Sequence, residues 1–282
     1  MRLIKAKYSM AVGYRPNRAG FVCLLLASFL FACNQIEYPD TSDLPDNFHQ
    51  LVVDAKKGDV DSQFDLGVEY LSSKYIEKNP QKALAWFKIA AQHGDAEAMY
   101  NVGSLLHSNN DLGIDIKQAI YWYKKAADKG YPKAAFNLSM IYLNNEKYYD
   151  SKEYIYWTSK ASDLGYVPAM HNLAAEYSSG KKLKKDPGKA YLLYKKAALN
   201  GFVNSMFVMG QIYDEGYSVD KDLRMALAWK ELGMKYAGMN SEIVAIRDEQ
   251  NKIQKIKSLL TSEELEESKK EFEKLEKILV TK

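Results

Sequence analysis

The sequence predicts an all-α fold, an α/α solenoid of about five helix-pair repeats with a C-terminal helical cap. Three observations carry the prediction. Glycines recur at Gly58, Gly94, Gly130, Gly165 and Gly201, in steps of 36, 36, 35 and 36 residues. All four tryptophans keep the same beat, at Trp86, Trp122, Trp157 and Trp229, with Leu193 at the remaining position. Two series of small residues run alongside: Ser62, Ala98, Ala134, Ala169, Ser205, and Gly67, Gly103, Ser139, Ala174, Gly210. A fixed period of this length marks a repeat array, and one shared position for every tryptophan points to core packing rather than a special site.

Each repeat reads as helix A, loop, helix B and tight turn. Helix A carries apolar and small residues three, four and seven apart, as in "AEAMYNVGSLL" and "SMFVMGQIY", which is the spacing of one buried helix face. Tyr70, Leu106, Tyr142, Tyr177 and Tyr213 close it. Helix B is the "AIYWYKKAADKG" segment and its equivalents, ended by the periodic glycine, which suits a left-handed C-terminal position. Pro132 and Pro168 open A helices. Asn79-Pro80 and Asp186-Pro187 read as a cap followed by a first-turn proline of helix B. The A-to-B loops hold the variable segments, among them "HSNNDLGIDI" and "SSGKKLKKD".

Helix pairs of about 36 residues, with A-x-x-N-L-G-like helix A, A-x-x-W-Y-like helix B and a final A-A-x-x-G, resemble SEL-one-like repeats, relatives of tetratricopeptide repeats. The resemblance covers Leu51 to about Tyr236, and the last copy departs from it, with Gly233-Met234 in place of Ala-Ala. It implies a solenoid that binds other proteins.

The solenoid is therefore expected over residues 51–236, with three other segments around it. Residues 1–32 hold five basic and no acidic side chains and then the apolar run "FVCLLLASFLFAC", the pattern of a secretory signal too short to span a membrane. Leu30-Phe31-Ala32-Cys33 resembles a bacterial lipobox. That resemblance implies cleavage before Cys33 and a lipid on its sulfur, and Asn34 points by analogy to the periplasmic face of the outer membrane. Residues 33–50 read as a polar, proline-bearing tether. Residues 237–282 read as a cap of two amphipathic helices. The first places Ile243, Ile246, Ile253, Ile256 and Leu260 on one side. The second has Thr261 or Ser262 as its N-cap and Leu265, Phe272 and Ile278 or Leu279 as its apolar stripe.

Charge bounds the partners. The chain has 39 basic and 36 acidic residues, net +3, but without residues 1–32 the count is 34 against 36, net −2. The basicity belongs to the signal, so neither nucleic acid nor an anionic membrane is the expected partner. With Cys33 as the one cysteine after the signal, no disulfide framework is expected. His49, His93, His107 and His171 lack metal-ligand spacing, so neither metal nor cofactor is expected. Ser178-Ser179-Gly180-Lys181 matches S-x-x-K, yet it sits in an A-to-B loop without S-D-N or K-T-G. No nucleophile elbow or phosphate loop is present, so no enzyme and no small-molecule substrate are expected.

The expected site is a surface. In superhelical helix-pair arrays helix A lines the concave side. Asp65, Asn101, Asn137 and Asn172 share one helix A position, with Val208 after them, and Glu69, Glu176 and Gln211 lie close by. These side chains either clamp an extended peptide or brace neighbouring helices. Lys181, Lys182, Lys184 and Lys185 make one loop basic. The expected role is a non-catalytic lipoprotein scaffold of the bacterial envelope that binds a protein or peptide. The alternatives are an immunity protein against a type VI secretion toxin such as a phospholipase and, remotely, a β-lactamase-like or penicillin-binding enzyme.

Overall fold

The structure is a computed structural model and describes residues 37–72, 76–237 and 243–281. The signal, Cys33 and the first residues of the tether lie outside the described residues. The chain divides into two compact units, Met1–Asp40 and Thr41–Lys282, and every described helix belongs to the second. Among the described residues, thirteen α-helices follow one another and no strand occurs. They are α1 (His49–Lys56), α2 (Val60–Ser72), α3 (Pro80–Gln92), α4 (Ala96–Ser108), α5 (Ile116–Asp128), α6 (Pro132–Asn144) and α7 (Ser151–Asp163). Then come α8 (Val167–Ser179), α9 (Pro187–Ala198), α10 (Val203–Glu215), α11 (Leu223–Tyr236), α12 (Ile243–Lys257) and α13 (Ser262–Val280). The A helices are α2, α4, α6, α8 and α10; each is followed by its B helix, α3, α5, α7, α9 and α11. Ahead of them, Asp43 accepts from Tyr70 Oη and Lys82 Nζ, each at 2.9 Å, and so joins the first repeat.

The punctuation is chemical. Gly94 has φ +99°, which places it in the left-handed region, and Asp95 N–H folds back onto the Ala90 carbonyl, sealing the end of α3. The equivalent glycines also have positive φ. Every B helix begins at an Asn or Asp whose side chain accepts a first-turn N–H: Asn79, Asp115, Asp150, Asp186 and Asp222. The same residue's own N–H donates to the carbonyl of Tyr70, Leu106, Tyr142, Tyr177 or Tyr213, at 2.8–3.0 Å. The residue that closes helix A thus clamps the loop to the next cap. The A helices run slightly further than expected, and Ser178 and Ser179 form the last residues of α8.

Within a pair, the residue after the tryptophan position is the knob. Phe87, Tyr123, Thr158, Tyr194 and Lys230 are all buried. Opposite them stand Gly67, Gly103, Ser139, Ala174 and Gly210. A methyl group on Gly67 would lie 2.6 Å from the Phe87 ring, one on Gly103 2.8 Å from the Tyr123 ring, and one on Gly210 2.6 Å from Lys230 Cγ. These small residues make holes for side chains of the partner helix. Trp86, Trp157 and Trp229 are buried as expected. Trp122 is a correction: it is only half-buried, on a cleft walled by the small Ala91 and Gly94 together with Met99, with the Lys125 ammonium 5.3 Å from its ring centre.

Successive pairs stack as two layers. A helices meet through aromatic rings: Tyr100 with Tyr131 at 5.1 Å, Phe136 with Tyr166 at 5.0 Å and His171 with Phe202 at 5.1 Å. B helices meet through Lys160 Nζ on Asp128, 2.6 Å, and through Lys124 over the Trp157 ring. At the C-terminal end, α12 and α13 both pack on α11. Ile253 and Ile256 of α12, with Leu265 of α13, cover Ala226 and Leu227, while Phe272, Leu275 and Leu279 of α13 join the core around Trp229. Of the two residues offered for the end of that stripe, Leu279 packs inward and Ile278 is exposed. Thr261 caps α13 in a capping box with Glu264.

Candidate functional site

The open side of the A layer is a stripe one residue wide on each helix. Burial of the Gly/Ser/Ala holes and of the apolar positions against the B helices leaves the register of Asp65, Asn101, Asn137, Asn172 and Val208 toward solvent. The preceding turn contributes Asp61, Glu97, Lys133, Pro168 and Asn204. Asp65 is exposed, and its carboxyl is raised above the ordinary value by partial burial and by the neighbouring Asp61 and Asp59 charges. Asn101, Asn137 and Asn172 are half-buried.

These side chains do not all behave alike. Asn137 points its amide at two hydroxyls, Tyr100 Oη and Tyr123 Oη, each at 3.4 Å, so it ties α6 to α4 and α5. Burial pushes the Tyr123 phenol up to about 12 and keeps it protonated as part of that network. Gln211 is exposed and donates to Glu215 Oε1 at 2.7 Å. Glu69 is half-buried in α2. Glu176 is the buried member: its Oε1 accepts from Lys182 Nζ at 3.1 Å, and its charge helps to raise the buried Tyr154 phenol to about 12. The basic loop is therefore partly neutralised from within. Lys182 turns in to Glu176 and the Tyr154 ring, and Lys185 lies over the Tyr217 ring, while Lys181 and Lys184 are exposed.

At the end of the A layer the stripe opens into a cleft of about 350 Å³ between α8, α9 and α10, lined by Ser178, Tyr191, Tyr194, Val208, Gln211 and Glu215. It combines aromatic walls with a hydrogen-bonded amide and carboxylate, Gln211 and Glu215.

Two of the four histidines are engaged structurally. His93 Nδ1 sits 2.8 Å from Gln63 Oε1, and the fully buried Gln63 donates to the Ala55 carbonyl. His171 Nδ1 sits 2.8 Å from Ser205 Oγ, and burial lowers its pKa. Ser178 and Ser179 end α8, Gly180 takes a left-handed φ of 71°, and Lys181 leaves the helix axis, so serine and lysine are not stacked on successive turns. Among the described residues, no three His, Cys, Asp or Glu side chains gather as metal ligands, and no helix is long and apolar enough to cross a membrane.

Two periodic signals went unread in the sequence. The residues just before the asparagine register are Phe64, Tyr100, Phe136, His171 and Phe207; Phe64, Tyr100, His171 and Phe207 pack on the B helix of their own pair, and Tyr100, Phe136 and His171 also reach the ring that precedes the next A helix. Charge is also partitioned by helix. The five A helices hold seven acidic side chains and one basic one, net −6. The five B helices hold thirteen basic and four acidic ones, net +9.

Several solved structures share this architecture. The protective antigen c5321, present in uropathogenic Escherichia coli strains and displaying an SLR fold, is 26% identical with a TM-score of 0.68. The match covers 86% of this chain but 51% of that one, so this chain spans about half its length. A Sel1 repeat protein from Oxalobacter formigenes is 21% identical with a TM-score of 0.56, over 74% of this chain and 96% of the other. The immunity protein PA5088 from Pseudomonas aeruginosa is 18% identical over 81% and 85% at a TM-score of 0.44, a likeness too low to bear on binding. A search of curated proteins gives no match. The Sel1 repeat profile matches at residues 60–95, 96–131, 132–166, 167–202 and 203–231, each match opening at or next to the start of an A helix, and the chain belongs to the Sel1 repeat family.

Proposed function

We propose that this protein is a non-catalytic binding scaffold that receives a protein or peptide along the open stripe of its A layer. The observation that carries the proposal is the stripe itself: Asp65, Asn101 and Asn172 stand in register on stacked helices, and Gln211, one turn beyond Val208 of the same series, reaches the cleft it shares with Glu215 at one end. Side-chain amides can donate to and accept from an extended backbone, and the net −6 of the A helices favours a partner segment carrying lysine or arginine. Asn137 supports the stripe from within rather than as a contact.

The lipid anchor at Cys33 and a place on the periplasmic face of the outer membrane belong to the same proposal. They are supported by the basic start, the apolar run and the Leu-Phe-Ala-Cys end of the signal.

The test is affinity capture of envelope and secreted proteins by the full-length protein, compared with an Asn101→Arg/Asn172→Arg variant. The proposal expects protein partners that the wild type retains and the variant loses. One stoichiometric toxin, inhibited on binding, would make the partner class an immunity target. Capture unaffected by the variant would remove the A stripe as the site, and turnover of a β-lactam would overturn the non-catalytic reading.

A further inference from the structure

The opposite layer carries a second surface. On helix B, one register position holds Tyr121, Tyr156 and Leu192 in three consecutive repeats, and these are 48%, 57% and 64% exposed. Single exposed apolar residues are ordinary; three large ones aligned on adjacent helices are not. The flanking repeats place alanine at the same position: half-buried Ala85 in the repeat before, and Ala228, fully buried in the core that α13 joins, in the repeat after. The large side chains are confined to the three central repeats, where, among the described residues, nothing covers them.

The two tyrosines are held rather than loose. Tyr121 meets Trp122 edge-on at 5.3 Å and Tyr156 meets Trp157 edge-on at 4.9 Å, and Lys125 Nζ lies 4.7 Å from the Tyr121 ring centre. Around the row, Lys117, Lys125, Lys152, Lys189, Lys195 and Lys196 are all exposed. Acids on the three helices are few: Asp128 is bound to Lys160, Glu153 accepts from Trp157 Nε1, and Asp163 closes α7. The near-neutral sum of the chain conceals this cationic layer.

From this juxtaposition we infer that the B layer of α5, α7 and α9 docks on an anionic phospholipid surface. Tyrosine rings with a polar tip suit the water–lipid boundary, lysine stems reach the headgroups, and the apolar residues project outward instead of lining a groove shaped for a protein side chain. Lysines close to an anionic leaflet are attracted within about one Debye length, so the contact is salt-sensitive. The inference does not depend on acylation of Cys33, nor on the A layer having a partner. Such docking leaves the A stripe facing away from the lipid.

Hydroxyl-radical footprinting of the full-length protein tests it, on phosphatidylcholine vesicles and on vesicles containing phosphatidylglycerol. An anchor at the N-terminus would hold the protein to both, so only the side-chain protections discriminate. The expected result is roughly tenfold slower oxidation of Tyr121, Tyr156 and Leu192 on the phosphatidylglycerol vesicles alone. Protection should fade in high salt and in a Lys125→Glu/Lys152→Glu/Lys196→Glu variant that unfolds at the wild-type temperature, while Met140 in the A layer stays reactive. Equal oxidation on both vesicles, or protection that survives the charge reversal, would overturn the inference. So would protection produced by added acidic protein and not by lipid, which would make the row a protein interface.

Discussion

Lys230 occupies the knob position of the fifth repeat, where other repeats place Phe87, Tyr123, Thr158 or Tyr194. Its side chain is 2% exposed, and its ammonium contacts Glu249 Oε2 of α12 at 2.8 Å; Glu249 is 15% exposed and also holds Lys252 at 2.6 Å. Removing one member of a buried pair leaves an uncompensated charge and costs about 3–5 kcal/mol, whereas replacing both with apolar groups is close to neutral. The two single changes should therefore differ. Glu249→Gln strands an ammonium that has almost no access to water, so the loss should be about 3 kcal/mol. Lys230→Met refills the slot over Gly210 and leaves a carboxylate with Lys252 and some solvent, so the loss should be about 1 kcal/mol. The double change Lys230→Met/Glu249→Leu should return to within about 1 kcal/mol of wild type. Urea unfolding followed by near-ultraviolet dichroism reports on the neighbouring Trp229 and reads all three. A larger loss for Lys230→Met than for Glu249→Gln, or a double variant as weak as Glu249→Gln, would refute the reasoning.

pH gives the same pair a second reading. Burial raises the Glu249 carboxyl, but hydrogen bonds from Lys230 and Lys252 outweigh it and hold the group below its ordinary 4.5. A depressed carboxyl stabilises above its unfolded value and loses that contribution as pH falls through the lowered one. The difference between wild type and Glu249→Gln should be constant above about pH 5 and shrink in more acid solution; a difference that grows on acidification contradicts the assignment. Gly103→Ala places a methyl 2.8 Å from the Tyr123 ring. Overpacking of about 1–3 kcal/mol exceeds the ~1 kcal/mol gained in helix propensity, so the melting temperature should fall, and a rise would mean the hole is not tight. Thr261→Ala removes the capping box and should cost about 1 kcal/mol, seen as faster hydrogen exchange in the first turn of α13 and unchanged exchange in α4.

Much of this architecture was legible because repetition turns weak signals into firm ones. One glycine proves little, but five at a 36-residue period fix the turns, and the caps at Asn79 and Asp186 belong to a five-member series that includes Asp115, Asp150 and Asp222. What escaped was of three kinds. Lys230 and Glu249 meet across a boundary between repeat and cap, where no period relates them, and a lysine on a helix reads as solvated until the helix covering it is placed. The net charge of −2 beyond the signal sums A helices at −6, B helices at +9 and the remaining segments at −5, so the total hid what a helix-by-helix count shows. Within the candidate stripe, a shared register position did not tell Asn137, which bonds two tyrosines, from Asn101 and Asn172, because that depends on rings contributed by other helices.

Binding of another protein by the A layer is tested most directly by photo-crosslinking. A benzophenone side chain is placed singly at residues 65, 101, 172 and 211, and at 121, 156 and 192, in cells that make the protein. Protein adducts from the first group, and none from the second, are the expected result. Protein adducts confined to the second group would place the binding face on the B layer and contradict both the proposed site and the lipid-docking surface.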